Sequence, residues 1–241
     1  MKHILLIATG GTIASRPTEN GLAPQLMADD ILRCVPALGS LCRIDAVQPM
    51  NIDSTNMSPD CWLALAGCLR AHYDQYDGFV ITHGTDTMAY TACALSYLVQ
   101  RSGKPIVLTG AQKSIYVQDT DARRNLYDAF VAAPDDNLAG DYIVFDGRVI
   151  LATPARQTPT KSLNAFSSID YPDVALIRDG RILHYIRQPR PPPPTAFYGR
   201  LAPSVFLLPL LPGTTPAALP PPARRFDTLA LQSLGSGALP T

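Results

Sequence analysis

The stretch that decides the fold is ATGGTIAS, residues 8–15. It follows the apolar run ILLI at residues 4–7, which is typical of a short buried strand. The two glycines permit main-chain conformations that other residues resist, and they let neighbouring groups approach closely. Thr12 therefore comes directly after a buried strand. The carboxyl ends of the parallel strands are where open α/β proteins bind their ligands.

Two further apolar runs end in the same way. VITHGTDT at residues 80–87 repeats the pattern of strand, glycine and hydroxyl, and the run at 105–109 leads into GAQK. Neighbouring parallel strands would place the three turns side by side at one sheet edge. The site predicted from these turns contains Thr12, Thr85, Asp86 and Lys113.

Short apolar strands alternate with helical patterns along most of the chain. This alternation predicts a doubly wound α/β domain with a mostly parallel sheet flanked by helices. A polar loop is predicted over 12–24, and Asp146-Gly147 indicates a hairpin. Strands are predicted over 3–9, 41–48, 78–82, 105–109, 142–145, 149–151, 205–208 and 228–231, and helices over 28–35, from 59, from 86 to 99 and over 121–132.

Proline divides the chain into three parts. Of the 23 prolines, many come late, and the run PRPPPP at residues 189–194 must be extended, as in polyproline II. We interpret it as a linker in preference to a ligand for a proline-recognition domain, because strand-like segments lie on both sides. The predicted organisation is a main domain over 1–188, a linker over 189–203 and a short remnant of a second α/β domain over 204–241.

Composition argues against several classes of protein. Twenty basic and twenty acidic residues give no net charge, and no basic patch predicts nucleic-acid binding. No apolar run approaches the roughly 20 residues that span a bilayer, and the first run is too short for a signal peptide. The odd number of cysteines without CxxC spacing predicts reduced thiols in a cytoplasmic protein. Those predicted to be buried in helices are Cys61, Cys68 and Cys93.

The predicted site suits nucleophilic attack on a carbonyl. A threonine hydroxyl needs a base or a positive neighbour to become a nucleophile. Glycine-rich turns also cradle phosphates, so nucleotide binding stays an alternative, although neither GxGxxG after the first strand nor GxxxxGK(S/T) occurs. Taken singly, Thr12 could be a turn residue and Asp86 a helix cap. Their shared position at strand ends favours a site, whereas Thr82 and Thr87 are interpreted as structural.

Four segments together resemble the bacterial-type L-asparaginases. The resemblance extends over about the first 185 residues and resumes weakly near the end of the chain. The segments that carry it are 8–15, 53–57, 77–88 and 104–113, the last followed by a similar stretch at 121–128.

The resemblance implies hydrolysis of asparagine to aspartate and ammonia without a metal or cofactor. It implies that Thr12 is the nucleophile that forms an acyl-enzyme and that Thr85 is the second catalytic hydroxyl. Asp86 would hold the substrate ammonium, and Ser54 with Thr55 its carboxylate. Ala111 is also placed among the substrate-binding residues. The family further implies a homo-oligomer, a dimer or a dimer of dimers.

Three positions depart from the family pattern. Gln157 occupies the place of a catalytic lysine, nine residues before Phe166, and Lys161 nearby is not an obvious replacement. Leu22 stands where many members have a tyrosine, and Ala238 where they have an asparagine. An amide cannot accept a proton as an amine can. The alternative hypothesis is therefore an impaired homologue that binds aspartate or asparagine without efficient turnover.

Overall fold

A computed structural model defines the fold over residues 1–19, 21–158, 162–187, 194–212 and 226–233. The chain divides into two units, residues 1–199 and residues 200–241. In the described ranges no helix is long and apolar enough to cross a membrane.

The first unit alternates strands with helices, as the sequence predicts. Its elements in chain order are β1 (His3–Ala8), β2 (Ser15–Thr18), β3 (Gly21–Pro24), α1 (Ala28–Arg33), β4 (Arg43–Val47), α2 (Pro59–His72), β5 (Gly78–Thr82), α3 (Thr85–Leu98), β6 (Val99–Gln100), β7 (Pro105–Thr109), α4 (Ala122–Ala132), β8 (Gly140–Phe145), β9 (Arg148–Leu151), β10 (Ala155–Gln157), β11 (Phe166–Ser168), β12 (Ala175–Arg178), β13 (Arg181–His184) and β14 (Ala196–Phe197).

Eight of these strands form one sheet in the order β13-β12-β9-β8-β7-β5-β1-β4. Strands β8, β7, β5, β1 and β4 are parallel, and β9, β12 and β13 extend the sheet with antiparallel pairing. From β1 the chain first adds β4 on one side and then β5, β7 and β8 on the other. The winding therefore reverses between β1 and β5, which is where α/β sheets open a crevice for ligands. The predicted doubly wound sheet is confirmed.

The central strands are continuous apolar runs because both faces of the sheet are covered. Alternate strand residues such as Leu6, Val80 and Val107 share a buried cluster with residues of α1 and α4. Helix α3 packs against β7 and β8, and α2 packs against α3. With both faces covered, the strand ends are the part of the sheet that remains open to a ligand.

The hairpin predicted at Asp146-Gly147 joins β8 to β9. Phe145 pairs with Arg148, so the loop has two residues, and both have positive φ, 49° at Asp146 and 75° at Gly147. Positive φ at both central positions is the type I′ turn that Asp-Gly favours. This prediction is confirmed.

The prediction of a loop over 12–24 is wrong for most of that segment. A short 3-10 turn over Thr12–Ala14 leads into β2, which pairs with β3 in antiparallel register. Contacts from a distant segment hold the hairpin. The Arg16 guanidinium lies 4.8 Å from the centre of the Tyr116 ring, and Nη2 donates a hydrogen bond to the Tyr116 hydroxyl at 2.9 Å. Polar composition alone does not reveal such a pairing.

The cysteines are less buried than predicted. All five are free thiols, and Cys61, Cys68 and Cys93 are half-buried instead of fully buried. On α2 the fully buried face is formed by Leu65 and Leu69. Cys61 and Cys68 lie at the border of that face, which explains their partial exposure.

In the second unit two strands are described, β15 (Val205–Pro209) and β16 (Thr228–Gln232), and they pair in parallel register. Both were predicted as strands. Several positions lie outside the described residues: 188–193, which hold most of the proline run, Lys161 and Ala238. The side chain of Leu22 also lies outside the described part.

Candidate active site

Three loops follow the adjacent strands β1, β5 and β7 at the carboxyl edge of the sheet. Main-chain hydrogen bonds extend the pairing beyond the strands: the Thr9 amide donates to Thr82 O at 3.1 Å, and the His83 amide donates to Thr109 O at 2.8 Å. The Thr9 hydroxyl also donates to Thr82 O, at 2.9 Å. These bonds bring the ends of the three loops together at one edge, as the sequence predicts.

The loops approach each other main chain to main chain. Gly11 has φ +74°, and a Cβ added to it would lie 2.3 Å from the Gly84 nitrogen. A Cβ on Gly84 would lie 2.5 Å from Ser54 Oγ, and one on Gly10 would lie 2.5 Å from Ile52 O. No side chain larger than hydrogen fits at these points. The glycines therefore bring the loops that carry Thr12, Thr85 and Ser54 into direct contact.

Thr12 is the first residue of the tight turn that follows Gly11. The Gly11 carbonyl accepts hydrogen bonds from the Ser15 hydroxyl at 2.9 Å and from the Ala14 amide at 3.1 Å, which fixes the turn. Thr12 itself is half-buried. Its hydroxyl has no hydrogen-bond partner among the described residues and remains available to a ligand.

Thr85 and Asp86 occupy the first turn of α3. Thr85 is only 6% exposed, yet its hydroxyl also has no partner in the described part of the chain. Asp86 is exposed and makes no described hydrogen bond or ion pair. By contrast, the neighbouring Thr87 hydroxyl is bound to Ser54 O at 2.8 Å. The hydroxyls of Thr12 and Thr85 differ in this respect from that of Thr87, whereas the buried Thr82 hydroxyl, also interpreted as structural, likewise has no partner among the described residues.

Ser54 and Thr55 lie in a 3-10 turn beside these loops. Asp53 caps the turn, because its Oδ1 accepts from both the amide and the hydroxyl of Thr55 at 2.9 Å. Ser54 is 3% exposed and lies against Gly84. Both donors of Thr55 are thus already used, so it could donate to a substrate carboxylate only by leaving Asp53.

The loop after β7 is held by Asp121, the N-cap residue of α4, and by Asn125 within that helix. Asp121 accepts from the Gln112 amide at 2.9 Å and from the Lys113 amide at 3.1 Å. Asn125 donates to Gly110 O at 3.0 Å and to Asp121 Oδ2 at 3.2 Å. Ala111, fully buried, lies within this clamped loop.

Lys113 lies on the same loop as Ala111. Only its main-chain atoms take part in the described hydrogen bonds, and its side chain is exposed. Across the described ranges, no group of three or more His, Cys, Asp or Glu side chains is placed to hold a metal ion.

Comparisons with known proteins agree on one family. A family model described as asparaginase, N-terminal, matches residues 3–190. The chain is 38% identical to an L-asparaginase of Thermococcus kodakarensis over 244 residues, which cover 98% of this chain and 72% of that protein. The chain belongs to the asparaginase family.

Other relatives and solved structures agree with this assignment. L-asparaginase 1 of Escherichia coli K12 is 34% identical over 200 residues, 80% of this chain and 57% of that protein. The solved thermostable L-asparaginase from Thermococcus kodakarensis matches with a TM-score of 0.90 at 37% identity, covering 99% of this chain and 73% of that one. A structure named probable cytoplasmic L-asparaginase, from Campylobacter jejuni, matches with a TM-score of 0.84 at 29% identity, over 99% and 76% of the two chains. The chain thus spans between about half and three quarters of the length of these relatives.

Of the three positions that depart from the pattern implied by the resemblance, Gln157 is the one whose side chain the structure describes. It ends β10, pairs with Phe166 in β11 and is half-buried beside α3. Its amide has no hydrogen-bond partner in the described ranges. Of the described lysines, Lys2 pairs with Asp136, and Lys104 donates to the carbonyls of Tyr73 and Tyr76. No described lysine makes a hydrogen bond to Thr12 or Thr85.

His83 is a residue that sequence reasoning missed. It is completely buried between β5 and α3, and Nδ1 lies 2.7 Å from Gly84 O while Nε2 lies 2.9 Å from the Thr91 hydroxyl. The carbonyl can only accept, so Nδ1 carries the proton. Nε2 then accepts from Thr91, whose oxygen accepts from Trp62 Nε1 at 2.9 Å. Every group in this chain of hydrogen bonds is satisfied when the imidazole is neutral, and burial lowers the pKa of His83 to about 4.

Proposed function

We propose that the chain hydrolyses the side-chain amide of L-asparagine, with Thr12 as the nucleophile. The observation that supports this most is that the hydroxyls of Thr12 and Thr85, which have no partners in the described part of the chain, lie on loops in contact at the reversal point of the sheet. Relatives that share 34–38% of their residues with the chain are named L-asparaginases. Nucleotide binding, the other sequence-based hypothesis, rested on the glycine-rich turn alone.

The chemistry takes place in two halves. In the first, Thr12 Oγ loses its proton and attacks the amide carbon. The C–N bond then breaks, and ammonia leaves after taking up a proton. In the second, water attacks the resulting ester, the C–Oγ bond breaks, and aspartate leaves while Thr12 regains its proton. Each half is a nucleophilic displacement at a carbonyl through a tetrahedral intermediate.

The first turn of α3 would hold the charged groups of the substrate. Its leading N–H groups have no partner within the helix and favour negative charge, which suits a carboxylate or an oxyanion. Asp86, exposed and without an ion pair in the described part, would bind the ammonium group. Ser54, in contact with Gly84, is the better candidate for binding the substrate carboxylate, because both donors of Thr55 already bind Asp53.

Gln157 supports a second candidate function, binding of aspartate or asparagine with little turnover. The first half-reaction needs a group that accepts the proton of Thr12 or Thr85. Gln157 cannot do so, and no ionisable side chain has a described hydrogen bond to either hydroxyl. General acid–base help contributes roughly 10² to 10⁴ in rate, so its loss would weaken catalysis while leaving binding intact.

One assay separates the two candidates. Ammonia release from L-asparagine is measured for the wild type, Thr12→Val and Thr85→Val, and aspartate binding is measured by calorimetry. Thr228→Val is the matched control, since Thr228 is an exposed strand residue of the second unit. Turnover that falls by at least about 10³ in Thr12→Val supports the proposal. Aspartate binding without turnover in the wild type establishes the second candidate, and turnover unaffected in Thr12→Val contradicts the site.

We also infer a homo-oligomer, a dimer or dimer of dimers, located in the cytoplasm. The inference rests on family membership and on the cytoplasmic enzyme named among the similar structures. Size-exclusion chromatography with light scattering tests the assembly, and a monomeric mass across the micromolar range would contradict it.

A further inference from the structure

A cavity lies at the end of the parallel strands opposite to the candidate active site. It has a volume of about 300 Å³ and is formed where α3 ends and β7 and β8 begin. Its walls include the apolar side chains of Val99 and Leu151 and the polar residues Arg101, Ser102, Asp141 and Thr153. This volume is at the lower end of the range of small-molecule sites.

Asp141 is an unusual residue to find in this wall. It lies on β8 opposite Ile106 and is 5% exposed. Its carboxyl makes no hydrogen bond or ion pair with the described residues, and Oδ1 is completely buried without a partner. Burying a carboxyl without compensation destabilises the fold. A buried carboxyl at the wall of a cavity, without a hydrogen-bond partner among the described residues, is a candidate for ligand recognition.

Most other polar groups of the cavity are already used. The Ser102 hydroxyl donates to Lys104 O at 2.6 Å and lies 2.9 Å from the Tyr73 hydroxyl. Arg101 differs from Ser102 in that its side chain is not used in this way. Its backbone has φ 57°, and its carbonyl accepts from the Thr195 hydroxyl at 3.2 Å, but its exposed guanidinium has no described partner. The residues that line the cavity thus include a buried carboxyl and an arginine whose guanidinium has no partner in the described part of the chain.

We propose that this cavity binds a small zwitterionic amino acid, with its ammonium group on Asp141 and its carboxylate on Arg101. An ammonium group would give the buried carboxyl the charged donor that it lacks. A guanidinium binds a carboxylate through two parallel hydrogen bonds, a geometry that lysine does not offer. The apolar walls formed by Val99 and Leu151 suit a short carbon chain between the two charged groups. This site is separate from the loops that carry Thr12 and Thr85.

Binding at this site would be coupled to proton release. Desolvation raises the pKa of Asp141 well above its usual range and so favours the protonated acid in the empty site. An ammonium ligand favours the carboxylate, and the acid must therefore lose its proton as the ligand binds. Affinity should therefore rise with pH until the acid of the empty site ionises without a ligand.

Calorimetry with defined probes tests the proposal. The probes are glycine, β-alanine and 4-aminobutyrate as zwitterions, methylammonium as a cation and acetate as an anion. At least one zwitterion should bind the wild type, and it should release protons, detected as a heat that depends on the ionisation enthalpy of the buffer. Asp141→Asn and Arg101→Ala should each weaken that binding by at least about tenfold. The control variants Asp179→Asn and Arg178→Ala, at an exposed turn, should bind as the wild type does.

Three outcomes would overturn the proposal. The first is that no zwitterion binds, and the second is that methylammonium binds as tightly as every zwitterion. The third is binding that Asp141→Asn leaves intact, which would place the probe elsewhere, as at the active site. Thermal unfolding checks that Asp141→Asn is folded; if it is not, Arg101→Ala, which changes an exposed side chain, decides in its place.

Discussion

Gly11 and Gly84 touch through their main chains, with the Gly84 nitrogen 2.3 Å from the position that a Cβ on Gly11 would occupy. One glycine precedes Thr12 and the other precedes Thr85. The contact therefore sets the spacing between the two candidate catalytic hydroxyls. It also explains why the first turn needs glycine, whereas a Cβ on Gly84 is excluded chiefly by Ser54 Oγ, 2.5 Å away.

Replacing Gly11 by alanine should damage the site more than the fold. The added Cβ would push the two loops apart at a left-handed position, and strain of this kind is worth about 1–3 kcal/mol. We expect asparagine turnover or aspartate affinity to fall at least about 100-fold, because small displacements of reacting groups are costly. The measurements are ammonia release, calorimetry and urea unfolding.

Gly67→Ala is the matched control for this substitution. Gly67 lies within α2, and nothing is within 4 Å of its would-be Cβ. Alanine there should stabilise the protein by about 0.5–1 kcal/mol without affecting turnover or binding. Equal effects of the two variants on the site would contradict the role given to the Gly11–Gly84 contact.

Asn125 links the loop of Ala111 to the hairpin after β8. Its side chain donates to Gly110 O, and its Oδ1 accepts from the Asp146 amide at 3.0 Å. Asn125→Ala leaves these buried groups unpaired, and each unpaired group costs about 1–3 kcal/mol. We expect a clear loss of stability in urea, and weaker aspartate binding even at temperatures where the variant is folded. Asn137→Ala, which removes an amide from the exposed loop before β8, should change neither property.

The neutral state of His83 predicts an acid-sensitive stability. Its pKa is lowered to about 4 in the folded protein, whereas the ordinary value is 6.5. Above pH 6.5 the imidazole is neutral in both states, and its contribution to stability is fully present. As the pH falls, the unfolded chain binds a proton that the native state resists. This shift removes about 3 kcal/mol by pH 4.

His83→Gln should flatten this part of the pH profile. The free energy of unfolding, measured in urea from pH 7.5 to 4, should fall less steeply in the variant than in the wild type. His72→Gln removes a half-buried histidine from the end of α2 and serves as the control. A variant profile parallel to that of the wild type would mean that His83 is not held neutral.

The main features of the fold could be predicted because buried parallel strands need continuous apolar runs. Residues 4–7, 78–82 and 105–109 are such runs, and each stops at glycine or at a polar turn. The type I′ turn was predictable for a similar local reason, since Asp-Gly tolerates positive φ. Placing Thr12 beside Thr85 then required only the neighbouring order of parallel strands.

The features that were missed depend on partners far away in the chain. The β2–β3 hairpin is held by Tyr116, and β6 pairs with a two-residue strand almost a hundred positions later. His83 becomes part of a network only through Thr91 and Trp62, on two different helices. Both Thr55 donors bind Asp53, only two positions away. An exposed polar turn has several hydrogen-bonding arrangements of similar energy, so the sequence does not determine which of them forms.

Gln157→Lys tests whether the missing amine limits the reaction. The residue lies on β10, beside α3, and is half-buried, so a lysine there could extend toward the first turn of the helix. If it accepts the proton of Thr85, ammonia release should rise by roughly 10² to 10⁴, with little change in aspartate affinity. The rate should increase with pH as the new amine loses its proton. Arg156→Lys, one position earlier on the exposed side, should leave the rate unchanged. A folded Gln157→Lys protein with the wild-type rate would show that another group already accepts the proton, or that proton transfer does not limit turnover.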